Sequence, residues 1–137
     1  MMVSRAGLGL AMLALAGCAS MSGGMSGTML SGAQEVPAVP TQASGTSTIV
    51  VAADKTVTGS VTTTGVSATA AHIHMAAMGQ NGPVIVPLTK TGDSTWSVPA
   101  GAKLTDAQYD AYKAGNLYVN VHSADNKAGE IRAQLKP

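Results

Sequence analysis

Three histidines carry most of the chemistry this chain offers. His72 and His74 stand two apart in "AAHIH", and His122 follows far downstream in "NLYVNVHS". Imidazole nitrogens suit Zn(II) and Cu(II), with metal–nitrogen bonds of about 2.0–2.1 Å. On a strand, residues i and i+2 share a face about 6.5–7 Å apart. His72 and His74 therefore point the same way, with Ile73 opposed. In "LYVNVHS", Leu117, Val119 and Val121 share one face, and Tyr118, Asn120 and His122 share the other. "GEIRAQL" behaves alike, with Ile131, Ala133 and Leu135 opposed to Glu130, Arg132 and Gln134. If the aliphatic faces line a core, His72, His74, His122, Glu130 and Arg132 gather on one outward, exposed surface. That predicts a Cu or Zn site with His72, His74 and His122 as ligands and Glu130 and Arg132 behind them. The competing reading is structural. His72 and His74 would hydrogen-bond carbonyls of the "GQNGP" turn, and His122 would pair with Glu130 across the last hairpin. An exposed pair of that kind contributes well under about 1 kcal/mol.

Other chemistry has little support. No G-x-S-x-G elbow presents a serine nucleophile. Acidic residues are few and scattered, so no carboxylate pair suggests glycosidase work. No phosphate-cradling loop is present, and Asp125 and Glu130 in "SADNKAGE" lack EF-hand spacing. Charged residues are 11% of the chain and the net charge is +1, with no basic run, which argues against nucleic acid as a partner. The single cysteine has no partner for an intrachain disulfide.

The elements that must position the histidines read as short strands. Thr and Val favour strands, while frequent Gly, Asn and Pro favour turns. "SGTSTIVVAAD" and "TVTGSVTTTGV" flank Lys55 as a hairpin, with Val57, Gly59 and Val61 on one face. "PVIVPL" is a short apolar strand opened by the turn signal "NGP". "STWSVP" brings Trp96 to the core near a sheet edge closed by Pro99. One helix interrupts: Thr105 and Gln108 in "LTDAQYDAYKAGN" form a capping-box pattern, and Gly115 sits where the helix should stop. The final strands join through "ADNKAG". These elements predict an all-β fold, an antiparallel β-sandwich of immunoglobulin-like or superoxide-dismutase-like Greek-key type, with one short helix.

The N-terminus reads as an address. "MMVSRAGLGLAMLALAGCAS" has one early positive charge, Arg5, and an apolar run from Ala6 to Ala16. That run is shorter than the about 20 residues a membrane-spanning helix needs and fits a secretory signal. It ends in "LAGC", which resembles the bacterial lipobox. The resemblance implies a signal peptide over 1–17 and a lipidated Cys18. It also implies a cell-envelope location, anchored in the membrane by lipid. Ala19 lacks the acid associated with inner-membrane retention, which implies the outer membrane, facing the periplasm. Residues 18–29, rich in Gly, Ser and Met, read as a flexible tether, and 30–137 as the folded domain.

"LSGAQEVPAV" (30–39), "AAHIH" (70–74), "GQNGPVIVPL" (79–88), "GNLYVNVHS" (115–123) and "GEIRAQL" (129–135) together resemble the CHRD (chordin-type) domain family. The resemblance covers nearly all of 30–137 and implies an extracytoplasmic β-sandwich without a settled activity. The histidine order also resembles part of copper–zinc superoxide dismutase, in which a His-x-His pair and a late histidine bind copper and a late arginine guides the anion. His72, His74 and His122 match that order, and Arg132 matches loosely. A fourth histidine, a bridging histidine and a zinc loop are missing. The expectation is a lipid-anchored, non-enzymatic binding module for a transition metal or a protein partner. The alternatives are a minimal copper redox enzyme and a purely structural envelope module.

Replacing Cys18 by Ser is expected to abolish palmitate labelling and membrane fractionation of the full chain. Unchanged label would remove the anchor.

Overall fold

The computed structural model describes residues 27–137. The expected signal peptide, Cys18 and the tether up to residue 26 lie outside the described residues. The strands are β1 (Thr28–Ser31), β2 (Ser44–Ser47), β3 (Val50–Val51), β4 (Val57–Thr58), β5 (Ser60–Thr64), β6 (Ala68–Met75), β7 (Val84–Pro87), β8 (Thr89–Gly92) and β9 (Thr95–Ser97). The helix α1 (Asp106–Lys113) precedes β10 (Leu117–Ser123) and β11 (Ile131–Gln134). Among the described residues the first strand starts at Thr28.

Nine strands form one antiparallel sheet in the order β7-β6-β10-β11-β1-β2-β5-β9-β8, and β3 pairs with β4 separately. The two edge strands are consecutive in the chain, with only Leu88 between them. The sheet therefore comes almost full circle, a sandwich nearly closed into a barrel around one core. Among the described residues the expected all-β antiparallel architecture with a single short α-helix is what forms.

Local chemistry explains the elements. The β3–β4 hairpin turns at Lys55, whose φ of 73° lies in the left-handed region. Lys55 also forms an ion pair with Asp106 in the first turn of α1, tying hairpin to helix. The strand run through Val57 and Val61 is broken at Gly59, where φ is +118° and a Cβ would meet the Thr48 carbonyl oxygen at 2.5 Å. Only glycine fits there. The capping box of α1 is complete: Thr105 Oγ1 accepts from the Gln108 amide at 3.2 Å, and Gln108 Oε1 accepts from the Thr105 amide at 2.9 Å.

Alternation along the strands fills the core. Leu30, Val61, Ile73, Leu117, Val119, Val121, Ile131 and Ala133 are all buried, and Trp96 joins them from β9, next to the edge strand β8. Tyr109, Ala111 and Tyr112 of α1 pack against the same cluster.

The opposite face of β6, β10 and β11 corrects an expectation. Its polar side chains do point away from the aliphatic core, as period two demands. They are not on an exposed surface, however. Glu130, Arg132 and Gln134 are buried, as are Tyr118 and Asn120. A second layer covers them, made of the segment 32–39 after β1 and the loop 76–82 after β6. Arg132 donates to the carbonyl oxygens of Gln80 (2.8 Å) and Ala77 (3.4 Å) and to Asn81 Oδ1 (3.2 Å). Gln134 donates to the Ala76 carbonyl at 2.9 Å, and Asn81 donates to the Val36 carbonyl at 2.7 Å. The two covering segments are thus bonded to the sheet and to each other.

Ile131, fully buried in β11, should cost about 2–5 kcal/mol when cut to Ala. Thr105→Ala should cost about 1 kcal/mol through loss of the cap. Urea unfolding of residues 27–137 measures both; a smaller loss for Ile131 than for Thr105 would contradict this core assignment.

Candidate metal centre

The pairing of β6 with β10 brings the histidines together. Across that ladder His72 faces Asn120, His74 faces Tyr118, and Ala70 faces His122. Directly opposed residues on one face have Cβ atoms about 4.5–5.5 Å apart. One face therefore presents His72, His74, Tyr118, Asn120 and His122 as neighbours. The ring centroids of His72 lie 5.7 Å from His74 and 4.8 Å from His122, and His74 lies 5.9 Å from His122. One ligand nitrogen from each ring lies within 4.8 Å of the others.

Carbonyl contacts fix which nitrogens carry protons. His74 Nδ1 lies 2.9 Å from the Gly82 carbonyl oxygen, and His122 Nδ1 lies 2.8 Å from that of Lys127. A carbonyl only accepts, so both Nδ1 atoms carry the proton and both Nε2 atoms keep a lone pair. His72 Nδ1 sits 3.0 Å from His122 Nε2 and, with His122 Nδ1 bonded to Lys127, is the donor of that pair. Two nitrogens 3.0 Å apart can also share one ion: with bonds of about 2.0–2.1 Å they subtend about 94° at the metal. The widest pair must close to below about 4.1 Å, the sum of two such bonds. His74 Nε2 is buried and has no hydrogen-bond partner.

Burial favours the neutral forms of His72 and His74. Burial, then the proximity of His122 and His74, holds the His72 imidazole below its usual range. Burial is also the main cause that lowers His74, only partly opposed by its bond to the Gly82 carbonyl.

Gly82 is the hinge of this arrangement. Its carbonyl accepts from His74, its amide donates to the Tyr118 hydroxyl at 3.1 Å, and a Cβ on it would lie 1.9 Å from the Met75 carbonyl oxygen. The Tyr118 ring in turn stacks on His74, 4.7 Å between centroids and 3° from parallel. Arg132, from the strand on the other side of β10, places its guanidinium carbon 3.5 Å from the Tyr118 centroid.

The two residues expected behind the ligands take different places. Arg132 reaches His74 only through Tyr118. At 1% exposure it has no open face toward incoming anions, which corrects the anion-guiding role suggested by its loose match to superoxide dismutase. Glu130 does not pair with His122. Its carboxylate accepts from Ser123 Oγ (2.7 Å), Thr41 Oγ1 (2.9 Å) and Asn126 Nδ2 (3.1 Å). Burial pushes that carboxyl up, but the three donors together hold it below the usual range. Glu130 thus braces the 123–129 loop, and that loop carries the Lys127 carbonyl that orients His122.

Residues that reading the sequence overlooked complete the region. Glu35, 6% exposed in the covering segment, has a carboxyl pushed up to about 7 by burial, against the pull of Arg132 and Asn120. Asn120 donates through Nδ2 to the Ala128 carbonyl at 3.3 Å, while its Oδ1 has no partner. A signal for Asn120 existed: asparagine is disfavoured inside strands, and this one interrupts the run "LYVNV".

An antiparallel β-domain with one short helix and a convergent imidazole trio on a covered sheet face is the class that fold and geometry define. The family model for the CHRD domain matches residues 27–135, and the chain belongs to the CHRD domain family. No curated protein and no solved structure matches the chain.

Glu35 yields a pH prediction. Its folded value is about 7 against an ordinary 4.5. The folded state therefore holds this proton more tightly than the unfolded chain. Stability from this group is present below about 4.5 and is lost as pH rises through about 7. Each tenfold difference in proton affinity between the two states corresponds to about 1.4 kcal/mol. Glu35→Gln should therefore stabilise the domain by roughly 3 kcal/mol at about pH 8, and by little at about pH 4. Chemical denaturation at both pH values checks it; a gain of equal size at both would refute the assignment.

Proposed function

We propose that this protein is a lipid-anchored cell-envelope module that captures a divalent transition metal through His72, His74 and His122. One observation carries the reading. Two imidazoles give their Nδ1 protons to backbone carbonyls and aim the remaining lone pairs inward, and one of those lone pairs, His74 Nε2, is buried without a partner. Histidines that bind metals are oriented in this way by donating their other N–H to a carbonyl or carboxylate. Burying an acceptor unpaired costs about 1–3 kcal/mol, a cost a bound cation removes. The N-terminal "LAGC" supports the anchor and, with Ala19, a place on the periplasmic side of the outer membrane.

The order of first-row metals favours Cu(II) over Zn(II) at such nitrogens. Protons compete for the same lone pairs. Since His72 and His74 are held below their usual value of 6.5, that competition begins only in mildly acidic solution. The reading is one of binding, not turnover.

Titration calorimetry of residues 27–137 should give binding at micromolar Cu(II), weaker binding of Zn(II), and release of both toward about pH 5. His74→Ala should lower affinity by at least about tenfold, since it leaves two imidazoles. Equal affinity in the two proteins, or no binding by the wild type, would return these side chains to a structural role.

A further inference from the structure

The orphaned atoms on this face lie on neighbouring side chains. Among the described residues, the buried side-chain atoms without a partner are His74 Nε2, Asn120 Oδ1, Glu35 Oε1 and, elsewhere in the fold, Trp96 Nε1. Asn120 faces His72 directly across the β6–β10 ladder. Two positions on along the same face of β10 stands His122. Asn120 is therefore central to the three imidazoles and is only 2% exposed.

The orientation of its amide is fixed by chemistry. Nδ2 donates to the Ala128 carbonyl, a bond the oxygen end cannot make. Nδ2 and Glu35 Oε1 each come within 2.5 Å of the point where a side chain at Gly129 would begin. The amide nitrogen thus faces Gly129 and Glu35, and the oxygen is turned the other way. With His74 Nδ1 already committed to Gly82, two buried acceptors on neighbouring side chains of one sheet face are left without a donor, Nε2 of His74 and Oδ1 of Asn120, and neither can donate to the other. Such a pair calls for a shared electrophile, a cation or the two protons of a water.

We infer that Asn120 Oδ1 is a fourth ligand, completing a three-nitrogen, one-oxygen site with His72, His74 and His122. This rests on the metal-binding reading above and specifies it. The carbonyl oxygen is a harder donor than the thioether or thiolate that selects Cu(I), so the site prefers divalent Cu or Zn to Cu(I). The strand chemistry agrees. An asparagine in the middle of a buried strand sacrifices β-propensity, and its amide Nδ2 donates to the Ala128 carbonyl, which polarises the oxygen at the other end.

The test compares wild type, Asn120→Leu and Asn120→Asp of residues 27–137. Cu(II) and Zn(II) affinities come from competition titration, and the visible d–d spectrum of the Co(II) form reports the ligand set. Thermal melts of the metal-free proteins report folding. Asn120→Leu should lose at least about tenfold in affinity and change the Co(II) bands. Asn120→Asp, nearly the same shape with a stronger oxygen donor, should bind at least as tightly as wild type and shift the bands in its own way. If Asn120→Leu does not fold, the Asp variant alone decides, because an unchanged Co(II) spectrum there overturns the assignment. Wild-type affinity and spectrum in Asn120→Leu would likewise overturn it, leaving water in that position. A wild type that binds none of the three metals would remove the metal reading itself, and this inference with it.

Discussion

A guanidinium buried without a carboxylate dominates the polar side of this domain. Taking the charge of Arg132 out of water costs several kcal/mol unless its donors are satisfied. Carbonyl oxygens of the 76–82 loop and the face of Tyr118 supply the satisfaction. The loop therefore has one stable position, clamped over the sheet. Its last member, Gly82, then meets both the Tyr118 hydroxyl and His74. The orientation of one imidazole is thus inherited from a charge two strands away.

The layer above the sheet has a second consequence. A polar strand face left in water can tolerate any geometry, since water supplies partners. Once covered, each atom needs a named partner, and long-range bonds such as Thr41 to Glu130 and Asn81 to Val36 provide them. Where this satisfaction is otherwise thorough, the exceptions stand out. His74 Nε2 and Asn120 Oδ1 are neighbours on the one patch where the imidazoles converge, and Glu35 Oε1 lies near the nitrogen end of the same amide.

Much of this was legible in the residues. Period-two alternation put the three histidines on one face, because side-chain direction on a strand is a local property. The capping box of α1 was legible for the same reason: Thr105 and Gln108 contact each other. The covering layer was not. Alternation shows that Arg132 points away from Leu117 and Ile131, but it cannot tell solvent from a loop whose residues lie 52 positions earlier in the chain. Glu130 was misplaced by the same blindness, its partner Thr41 lying 89 positions away. Gly82 looked like an ordinary turn residue in "GQNGP"; only the approach of the Met75 carbonyl shows why it lacks a side chain.

The meeting of β7 and β8 at Leu88 bears on how copies of this domain behave when crowded. An open sheet presents rows of unpaired amides and carbonyls that recruit strands from other molecules. Here each outer strand is short and poorly suited to that trade. β7 is flanked by Pro83 and ends on Pro87, which have no amide hydrogen to offer, and its pairing with β6 is bulged at Ile73/His74. β8 is fully exposed, carries Lys90, and is bulged against β9 between Lys90 and Gly92. In a chain rich in Val and Thr, otherwise well composed for cross-molecular sheet growth, both edges are thereby poor templates for another strand.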